Sequence, residues 1–410
     1  MADRAAETTP WRAIVSLAMT VMVGFGVILY GFSIYVTDGA AGADFSKTLL
    51  SAAYGGSVVA GGLLAIPIGR RADRVGVRGI LALGGLLAAI GMTIFGAATA
   101  PWQVLVAWWI FIGPAGAMIY YEVAFVAVDR WCSPRQRPRA LGALTLIGGL
   151  AGIIFIPLTQ WLVAFVGWRT TAFTMGALVM GTALATTGIA LREVDRVAGR
   201  GRDKVPQRSL TRQLLKDRRF VTHTSAMILT FFAAQGIIAH RVALFNEAGF
   251  SVNTVALWAA AASALSLPGR WVAPLLATRF RAADVQAAAT VLLAVGTILM
   301  LDGTASWQMI GHFAVFGVAF GAVLPLRAMT MATWFSGPRY GATMGTQWTV
   351  TTIVGAFGPV AVALLRDVTV DYQLAVTALV AALSFGALLL FISTRSRVTE
   401  PEPGLVSRGI

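Results

Sequence analysis

The chain is poor in the residues that crosslink small domains or hold metal ions. It has a single cysteine, Cys132, and three histidines among 410 residues. A lone cysteine excludes an intramolecular disulfide framework, and so few cysteines and histidines form no cluster with the spacing of a zinc site. We therefore predict no metal centre and no other cofactor.

Charged residues are also scarce. Asp, Glu, Lys and Arg make up 12% of the chain, hydrophobic residues make up 57%, and the mean hydropathy is +0.75. Soluble domains carry about 25% charged residues. The composition excludes a soluble protein of this length and indicates a chain that is surrounded by lipid.

Long uncharged segments separate the few charged residues. The longest, residues 79–121, is about twice the roughly 20 residues that cross a bilayer, and Pro101 interrupts it. Counting it as two helices predicts twelve transmembrane helices, and a transmembrane barrel is excluded because its strands alternate apolar with polar residues. The uncharged segments are residues 13–37, 48–69, 79–121, 140–168, 170–191, 220–240, 248–269, 285–301, 303–326, 340–365 and 372–394.

The basic residues sort by membrane side. With a cytoplasmic N-terminus, twelve helices place 26 of the 32 Lys and Arg residues in cytoplasmic segments. The positive-inside rule then predicts that both termini are cytoplasmic. The net charge of +14 follows this topology, so we expect no nucleic-acid partner. We expect a monomeric multi-pass protein of the cell membrane, specifically of a bacterial inner membrane.

The chain divides at a polar segment, residues 192–219, which holds ten Lys or Arg and four acidic residues. Six predicted helices lie on either side. Residues 1–191 therefore form an N-terminal six-helix bundle, residues 192–219 a cytoplasmic linker, and residues 220–410 a C-terminal six-helix bundle. The halves also correspond in sequence, since Pro157 and Pro359 are 202 residues apart, near half the chain length. Such symmetry predicts an all-α membrane protein of two pseudo-symmetric bundles with a cavity between them.

The loop after the second predicted helix carries a recognisable motif. It runs from Gly69 to Arg78 and reads GRRADRVGVR. It resembles the signature between the second and third helices of the major facilitator superfamily, and the resemblance implies that fold. It also implies that Gly69, Asp73, Arg74, Gly76 and Arg78 form a gate motif that holds the cytoplasmic side closed. An acid at a helix end and a glycine in a tight turn suit that role.

The second half lacks the acid of this motif. Thr278 stands 205 residues after Asp73, so we expect the closing contacts to be asymmetric. Arg70 and Arg71 need no gating role, because the positive-inside rule already explains them.

Three further stretches resemble the monocarboxylate transporter group of that superfamily and its bacterial relatives, including oxalate and formate exchangers. Residues 131–142 read WCSPRQRPRALG, and Pro157 and then Gly167-Trp168-Arg169 follow. The resemblance implies a secondary active transporter that moves a small organic anion, in the first place a monocarboxylate, by alternating access. It implies proton coupling or exchange. The alternative is a drug-type exporter of amphipathic or neutral small molecules.

Charges inside predicted helices are the first candidates for function, because a charge at the bilayer centre costs about 2.5–3.5 kcal/mol. Arg270 lies in the eighth helix beside Pro268 and Gly269. The resemblance implies that Arg270 binds the substrate carboxylate, and a planar guanidinium suits that partner. The alternative is that Arg270 extends to the cytoplasmic headgroups or acts in gating. In animal carriers a proton-coupling aspartate precedes this arginine by one turn, where Ser266 stands here.

A second pair of buried charges is formed by Glu122 and Arg327. A shift of 203 sets Glu122 opposite position 325, so the two residues lie at nearly the same depth in the fourth and tenth helices. We predict that they meet across the pathway when the cytoplasmic side closes, and that Glu122 can carry a proton. The alternative is that each residue pairs within its own bundle.

Tyrosines complete the predicted substrate site. Tyr30, Tyr120 and Tyr121 are candidates because a phenol offers a hydrogen-bond donor beside an apolar ring face. Tyr35 is expected to be an interfacial residue at the end of the first helix. The sequence holds no nucleophile paired with a base and no phosphate-binding loop. We therefore expect no enzymatic activity, and an ion or substrate gradient as the source of energy.

Overall fold

The computed structural model describes residues 10–36, 40–190, 213–369 and 371–395, and the regular elements in these ranges are all helical. We label the long helices α1 to α12 in chain order. They are α1 Trp11–Tyr35, α2 Lys47–Val75, α3 Arg78–Ala97, α4 Pro101–Trp131, α5 137–166, α6 168–190, α7 Arg218–Glu247, α8 Val252–Leu276, α9 Ala282–Ile298, α10 Ser306–Phe335, α11 Tyr340–Thr369 and α12 Gln373–Arg395.

The predicted all-α membrane fold is confirmed. Within the described ranges, nine helices are long and apolar enough to cross a membrane. One of them, Arg137–Ala190, has 54 residues and turns at Gly167, whose φ of 79° is left-handed, so it contains both α5 and α6. With α8 and α9, which do not meet the same criterion of length and hydropathy, the arrangement is consistent with twelve spans.

Helix boundaries follow the local sequence. The predicted interruption at Pro101 is confirmed, since α3 ends at Ala97 and α4 begins with that proline at its first position. The Asp217 carboxylate caps α7 by accepting from the backbone of Arg219 and Phe220. Most of the predicted linker, residues 192–212, and the terminal ranges 1–9 and 396–410 lie outside the described residues. The division at residues 192–219 therefore stays a prediction, as does the side of the membrane that each terminus faces.

Contacts between the halves are concentrated on two helix pairs. These pairs are α2 with α11 and α5 with α8, with smaller contacts of α4 with α11 and of α5 with α10. The largest apolar core lies mainly in the first half and includes residues of α7, α10 and α11, and α7 to α12 build a separate core in the second half. The contacts between the halves are therefore made mainly by α2, α4 and α5 on one side and by α8, α10 and α11 on the other.

Helix α4 is not regular. Its helical path breaks at Tyr120, whose φ and ψ of −81° and −174° are extended, and Ala107–Ile112 forms a π-helical segment. A second π-helical segment, Phe25–Tyr30, lies in α1. The Phe25 ring contacts both Tyr120 and Tyr121, with ring centroids 4.0 and 5.0 Å apart. Such segments are frequent at functional sites.

Candidate functional site

Arg270 of α8 lies against α4 and α5 of the first bundle. Its Nη1 donates to the Tyr121 hydroxyl and to the Thr145 carbonyl, both at 3.3 Å, and its Nε is 3.5 Å from the Ser266 hydroxyl. The residue is 8% exposed. Among the described residues, no carboxylate forms an ion pair with it. The side chain turns toward the other bundle, and substrate binding, extension to the headgroups and gating all stay predictions for it.

Small residues allow this position. A Cβ on Gly149 of α5 would lie 2.7 Å from the Arg270 Nε, so the guanidinium packs where a larger residue would stand. Gly269, the residue before Arg270, packs so closely on α10 that a Cβ there would overlap the Val318 carbonyl. This contact turns one side of α8 to its own bundle and leaves Arg270 facing the first bundle.

The predicted tyrosines line the first bundle near Arg270. Tyr121 is buried and provides the phenol that contacts the guanidinium. Tyr120 stacks on Phe25, as described above. Tyr30 lies against α5, because a Cβ on Gly152 would be 2.9 Å from its ring. The structure thus places Tyr121 against Arg270 of α8, and Tyr30 against α5, the helix that Arg270 also contacts.

Two tyrosines differ from the sequence-based picture. Tyr54 of α2 was not predicted, and it stacks on Phe32, with ring centroids 4.6 Å apart. No motif or charge marks Tyr54 in the sequence. The expectation that Tyr35 is interfacial is wrong, because Tyr35 is fully buried and packs edge-on against Phe95 at 5.3 Å.

Glu122 and Arg327 meet across the two bundles in a bidentate pair. The Arg327 Nη1 and Nη2 donate to the two carboxylate oxygens of Glu122 at 2.9 and 2.8 Å. The third guanidinium nitrogen, Nε, donates to the Gln347 side-chain oxygen at 2.8 Å, and the guanidinium carbon lies 5.0 Å from the centroid of the Trp348 ring. The predicted contact is present, and the alternative of pairing within each bundle is wrong. The roles of this pair in gating and proton transfer stay predictions.

Asp73 of the gate motif contacts the second bundle. Its carboxylate oxygens accept from the backbone N–H groups of Gly341 and Ala342 at 2.8 and 2.9 Å. These groups lie in the first turn of α11, where unpaired N–H groups and the helix dipole favour an anion. Gly69 permits the approach, since a Cβ there would overlap the Gly341 carbonyl. The acid of the motif therefore joins α2 to the beginning of α11.

The other members of the gate motif lie within the first bundle. Gly76 ends α2 with a left-handed φ of 85°, and the Arg78 Nε donates to the Thr187 carbonyl at 2.7 Å in α6. The Arg74 side chain is exposed. Thr278, the counterpart of Asp73, is exposed and bonds the Leu275 carbonyl in its own turn. The asymmetry predicted for the two loops is thus present in the contacts of Asp73 and Thr278.

Sequence reasoning missed a further acid, Asp129 at the end of α4. Its Oδ2 accepts from the Gly337 N–H at 3.1 Å in the loop before α11, and its Oδ1 pairs with the Arg137 Nη2 at 2.8 Å. The neighbouring Arg130 donates to the backbone carbonyl of Asp73 at 2.9 Å. A signal was available, because the Asp-Arg dipeptide at the end of α4 repeats the one at the end of α2.

Comparisons with known proteins agree with this architecture. A family model for the Major Facilitator Superfamily matches residues 13–298. Monocarboxylate transporter 13 of Rattus norvegicus is 26% identical over 313 residues, which cover 75% of this chain and 71% of the relative. The Bos taurus protein of the same name matches with the same identity and coverage.

Two solved structures have a similar fold. The transporter FucP in the outward conformation matches with a TM-score of 0.72 and 16% identity, covering 96% of this chain and 100% of that chain. The human organic anion transporter MFSD10 (TETRAN) matches with a TM-score of 0.69 and 14% identity, covering 93% and 98%. The predicted resemblance to the monocarboxylate transporter group is confirmed at this distant level. Because the family model spans well over half of the chain, the protein belongs to the major facilitator superfamily and is a membrane transporter rather than an enzyme.

Proposed function

We propose that this transporter moves a small organic anion, in the first place a monocarboxylate, and that Arg270 binds the substrate carboxylate. The observation that carries the proposal is a buried cation between the two bundles without a carboxylate partner among the described residues. A buried charge without a counter-ion is costly, and a bound carboxylate would offset that cost. The Arg270 Nη2 makes no hydrogen bond to a described residue, so donors remain for a bidentate contact.

Arg327 is the less suitable residue for substrate. Glu122 and Gln347 already accept from its Nη1, Nη2 and Nε atoms, and it is completely buried. A substrate carboxylate at Arg327 would have to displace Glu122, whereas at Arg270 it would add the missing counter-charge. The names of the similar proteins, a monocarboxylate transporter and an organic anion transporter, support the same class of substrate.

The proposed site uses both bundles. Arg270 belongs to the second bundle, and the Tyr121 hydroxyl, 3.3 Å from its Nη1, belongs to the first. A carboxylate between them would accept from the guanidinium and from the phenol, so its binding would depend on how the bundles are placed. A ligand that binds two states unequally shifts their populations. This dependence couples substrate binding to alternating access.

We also propose that the Glu122–Arg327 pair, with Asp73 and Asp129, closes the cytoplasmic end of the pathway. When the bundles separate there, Glu122 loses its counter-charge and becomes free to take up a proton. The carrier then works as a proton symporter or an exchanger. We further propose that the protein is a monomer and that it lies in a bacterial inner membrane with both termini cytoplasmic.

Counterflow in proteoliposomes tests the substrate proposal. Wild-type protein should exchange labelled lactate, pyruvate or acetate, and Arg270→Gln should reduce exchange about 10- to 100-fold because charged hydrogen bonds are lost. The matched control is Arg281→Gln. The Arg281 side chain is 62% exposed, so this variant should transport normally. Transport of neutral sugars or cationic dyes that is unchanged by Arg270→Gln, without carboxylate exchange, would overturn the proposal in favour of the exporter.

Proton coupling is tested separately. Glu122→Gln should abolish accumulation of substrate driven by a pH gradient while exchange of labelled for unlabelled substrate persists, since Gln cannot be protonated. Glu247→Gln is the control, because that residue is exposed and pairs with Arg366 on the surface. If the Glu122 variant still accumulates substrate in response to the pH gradient, Glu122 does not carry the proton.

A further inference from the structure

Arg327 of the Glu122–Arg327 pair begins a longer chain of buried hydrogen bonds in the second bundle. Beyond Arg327, the Gln347 side chain continues to His223, with 2.8 Å between Nε2 and Nδ1. The His223 Nε2 lies 3.0 Å from the Gln286 Oε1, which also accepts from Thr330 at 2.8 Å. These side chains are at most 1% exposed. These hydrogen bonds connect α7, α9 and α11 to Arg327 of α10, which contacts Glu122 of the first bundle.

The chemistry of the groups fixes the direction of every bond in this chain. A guanidinium only donates, so the oxygen of Gln347 must face Arg327 and its amino group must face His223. The Nδ1 of His223 therefore accepts, and its proton lies on Nε2, which donates to Gln286. His223 is thus the neutral Nε2-protonated tautomer, and its Nδ1 lone pair accepts from the Gln347 amino group.

We infer that His223 is a positioning residue for the gate: through Gln347 it fixes the guanidinium of Arg327 in the orientation that Glu122 binds. The inference rests on the proposed gating role of the Glu122–Arg327 pair. A flipped Gln347 amide would present its amino group to the Arg327 Nε–H and leave both donors unsatisfied in a buried site. The His223 Nδ1 accepts from the unflipped amide and so opposes this flip. The Thr224 hydroxyl, 3.3 Å from the Gln347 amide nitrogen, is a second acceptor, and at this distance it stabilises the unflipped amide only weakly.

Two conservative substitutions separate this role from packing. In His223→Asn, the side-chain oxygen can occupy the place of Nδ1 and accept from Gln347. In His223→Gln, the longer side chain places its amide nearer to the former Nε2, where it can serve Gln286 but not Gln347. Positioning through Nδ1 therefore predicts that Asn preserves the gate and that Gln weakens it, as His223→Phe does.

The gate is measured by cysteine accessibility from the cytoplasmic side. The reporter is Thr346→Cys, a buried position of α11, in a Cys132→Ser background. Cys132 lies beyond the end of α4, where burial raises the pKa of its thiol to about 12, so its removal eliminates only a weakly reactive group. Labelling by a membrane-impermeant maleimide in inside-out vesicles should be several-fold faster in His223→Gln and His223→Phe, and close to the parent rate in His223→Asn.

Glu122→Gln in the same background separates the role of His223 from the gating role of the Glu122–Arg327 pair. Faster labelling of Glu122→Gln with equal rates for His223→Asn and His223→Gln would overturn the role of His223 and leave the gate intact. Unchanged labelling of Glu122→Gln would overturn the gate and this inference with it, although the substrate role of Arg270 would stand. If His223→Phe does not fold, the Asn and Gln variants still decide the question.

Discussion

Two helix pairs join the bundles, and the pseudo-symmetry of the chain relates one to the other. In α2/α11, Gly345 approaches the Ala65 carbonyl so closely that a Cβ would overlap it. In α5/α8, a Cβ on Gly142 would be 3.7 Å from the Arg270 carbonyl. Ala65 and Arg270 are 205 residues apart, as are Asp73 and Thr278, so they occupy equivalent places. The same backbone arrangement therefore carries an alanine on one side and a buried arginine on the other.

The difference shows that the fold repeats while the chemistry does not. Small residues let α2 and α11 pack closely, and Asp73 holds the beginning of α11. The α5/α8 pair is less tightly packed at the equivalent point and contains a guanidinium that contacts Thr145 and Tyr121. In the proposed mechanism, the α2/α11 pair closes the pathway and the α5/α8 pair binds the anion. Substitutions that exchange these properties test the distinction.

The largest effect is expected at the cation itself. Arg270→Lys keeps the charge at the α5/α8 pair but replaces a planar fork by a point charge, so a bidentate contact with a carboxylate is lost. We expect monocarboxylate counterflow to fall about tenfold or more. A tenfold loss of affinity corresponds to about 1.4 kcal/mol of binding free energy. Ala65→Ser, at the equivalent place on α2, is the control for perturbing a helix pair. Wild-type exchange by Arg270→Lys would show that charge alone is sufficient there.

Much of this comparison was already visible in the sequence. The uncharged segments predicted the helices. Glu122, Arg270 and Arg327 were predicted to lie within helices, and they were selected as candidates because a charge in the lipid core is costly and is usually functional. The separation of 205 residues between Asp73 and Thr278 predicted the asymmetry of the loops. These features depend on the one-dimensional spacing of charges, which the sequence displays directly.

Other features depend on packing, which the sequence does not display. The break of α4 at Tyr120 occurs at a residue that is neither proline nor glycine. Tyr54 and His223 carry no motif, and their partners are distant in the chain, as the 124 residues between His223 and Gln347 illustrate. Asp129 carried a signal, the Asp-Arg dipeptide that also ends α2, but its contact with Gly337 spans 208 residues of the chain. Neutral side chains that act through distant partners are recognisable only once the helices are assembled.

The next largest effect concerns the close approach of α2 and α11. Gly345→Ala should destabilise the closed arrangement by about 1–3 kcal/mol, because the new methyl group meets backbone rather than a flexible side chain. Gly142→Ala, at the equivalent position of α5, should be tolerated, since its nearest neighbour would be 3.4 Å away. Thermal unfolding in detergent and Thr346→Cys accessibility measure both variants. Equal effects would mean that the two helix pairs are packed alike.

Asp73 provides a somewhat smaller test of the same asymmetry. Asp73→Asn removes the negative charge and one of the two acceptors at the beginning of α11, which should weaken closure by about 1–2 kcal/mol. Thr278→Val removes only a hydroxyl that bonds within its own turn, and labelling of the reporter should not change. If both variants label at the parent rate, Asp73 does not help to close the pathway.

The smallest expected effect comes from one hydroxyl of α11. The Thr349 Oγ1 donates to the Gly62 carbonyl of α2 at 2.6 Å and also lies 3.0 Å from the Gly345 carbonyl of its own helix, whereas the Thr343 Oγ1 donates to the Arg339 carbonyl at 2.8 Å. Both residues are buried, and valine preserves the shape of each. Thr349→Val should weaken closure by about 0.5–1.5 kcal/mol, since a hydrogen bond between the bundles is lost. Thr343→Val should change stability without changing the accessibility of Thr346→Cys. The distinction is useful because only a bond that crosses from α11 to α2 is broken when the bundles separate. Equal accessibility in the two valine variants would assign closure of this helix pair to its glycine contacts and to Asp73 rather than to the threonine.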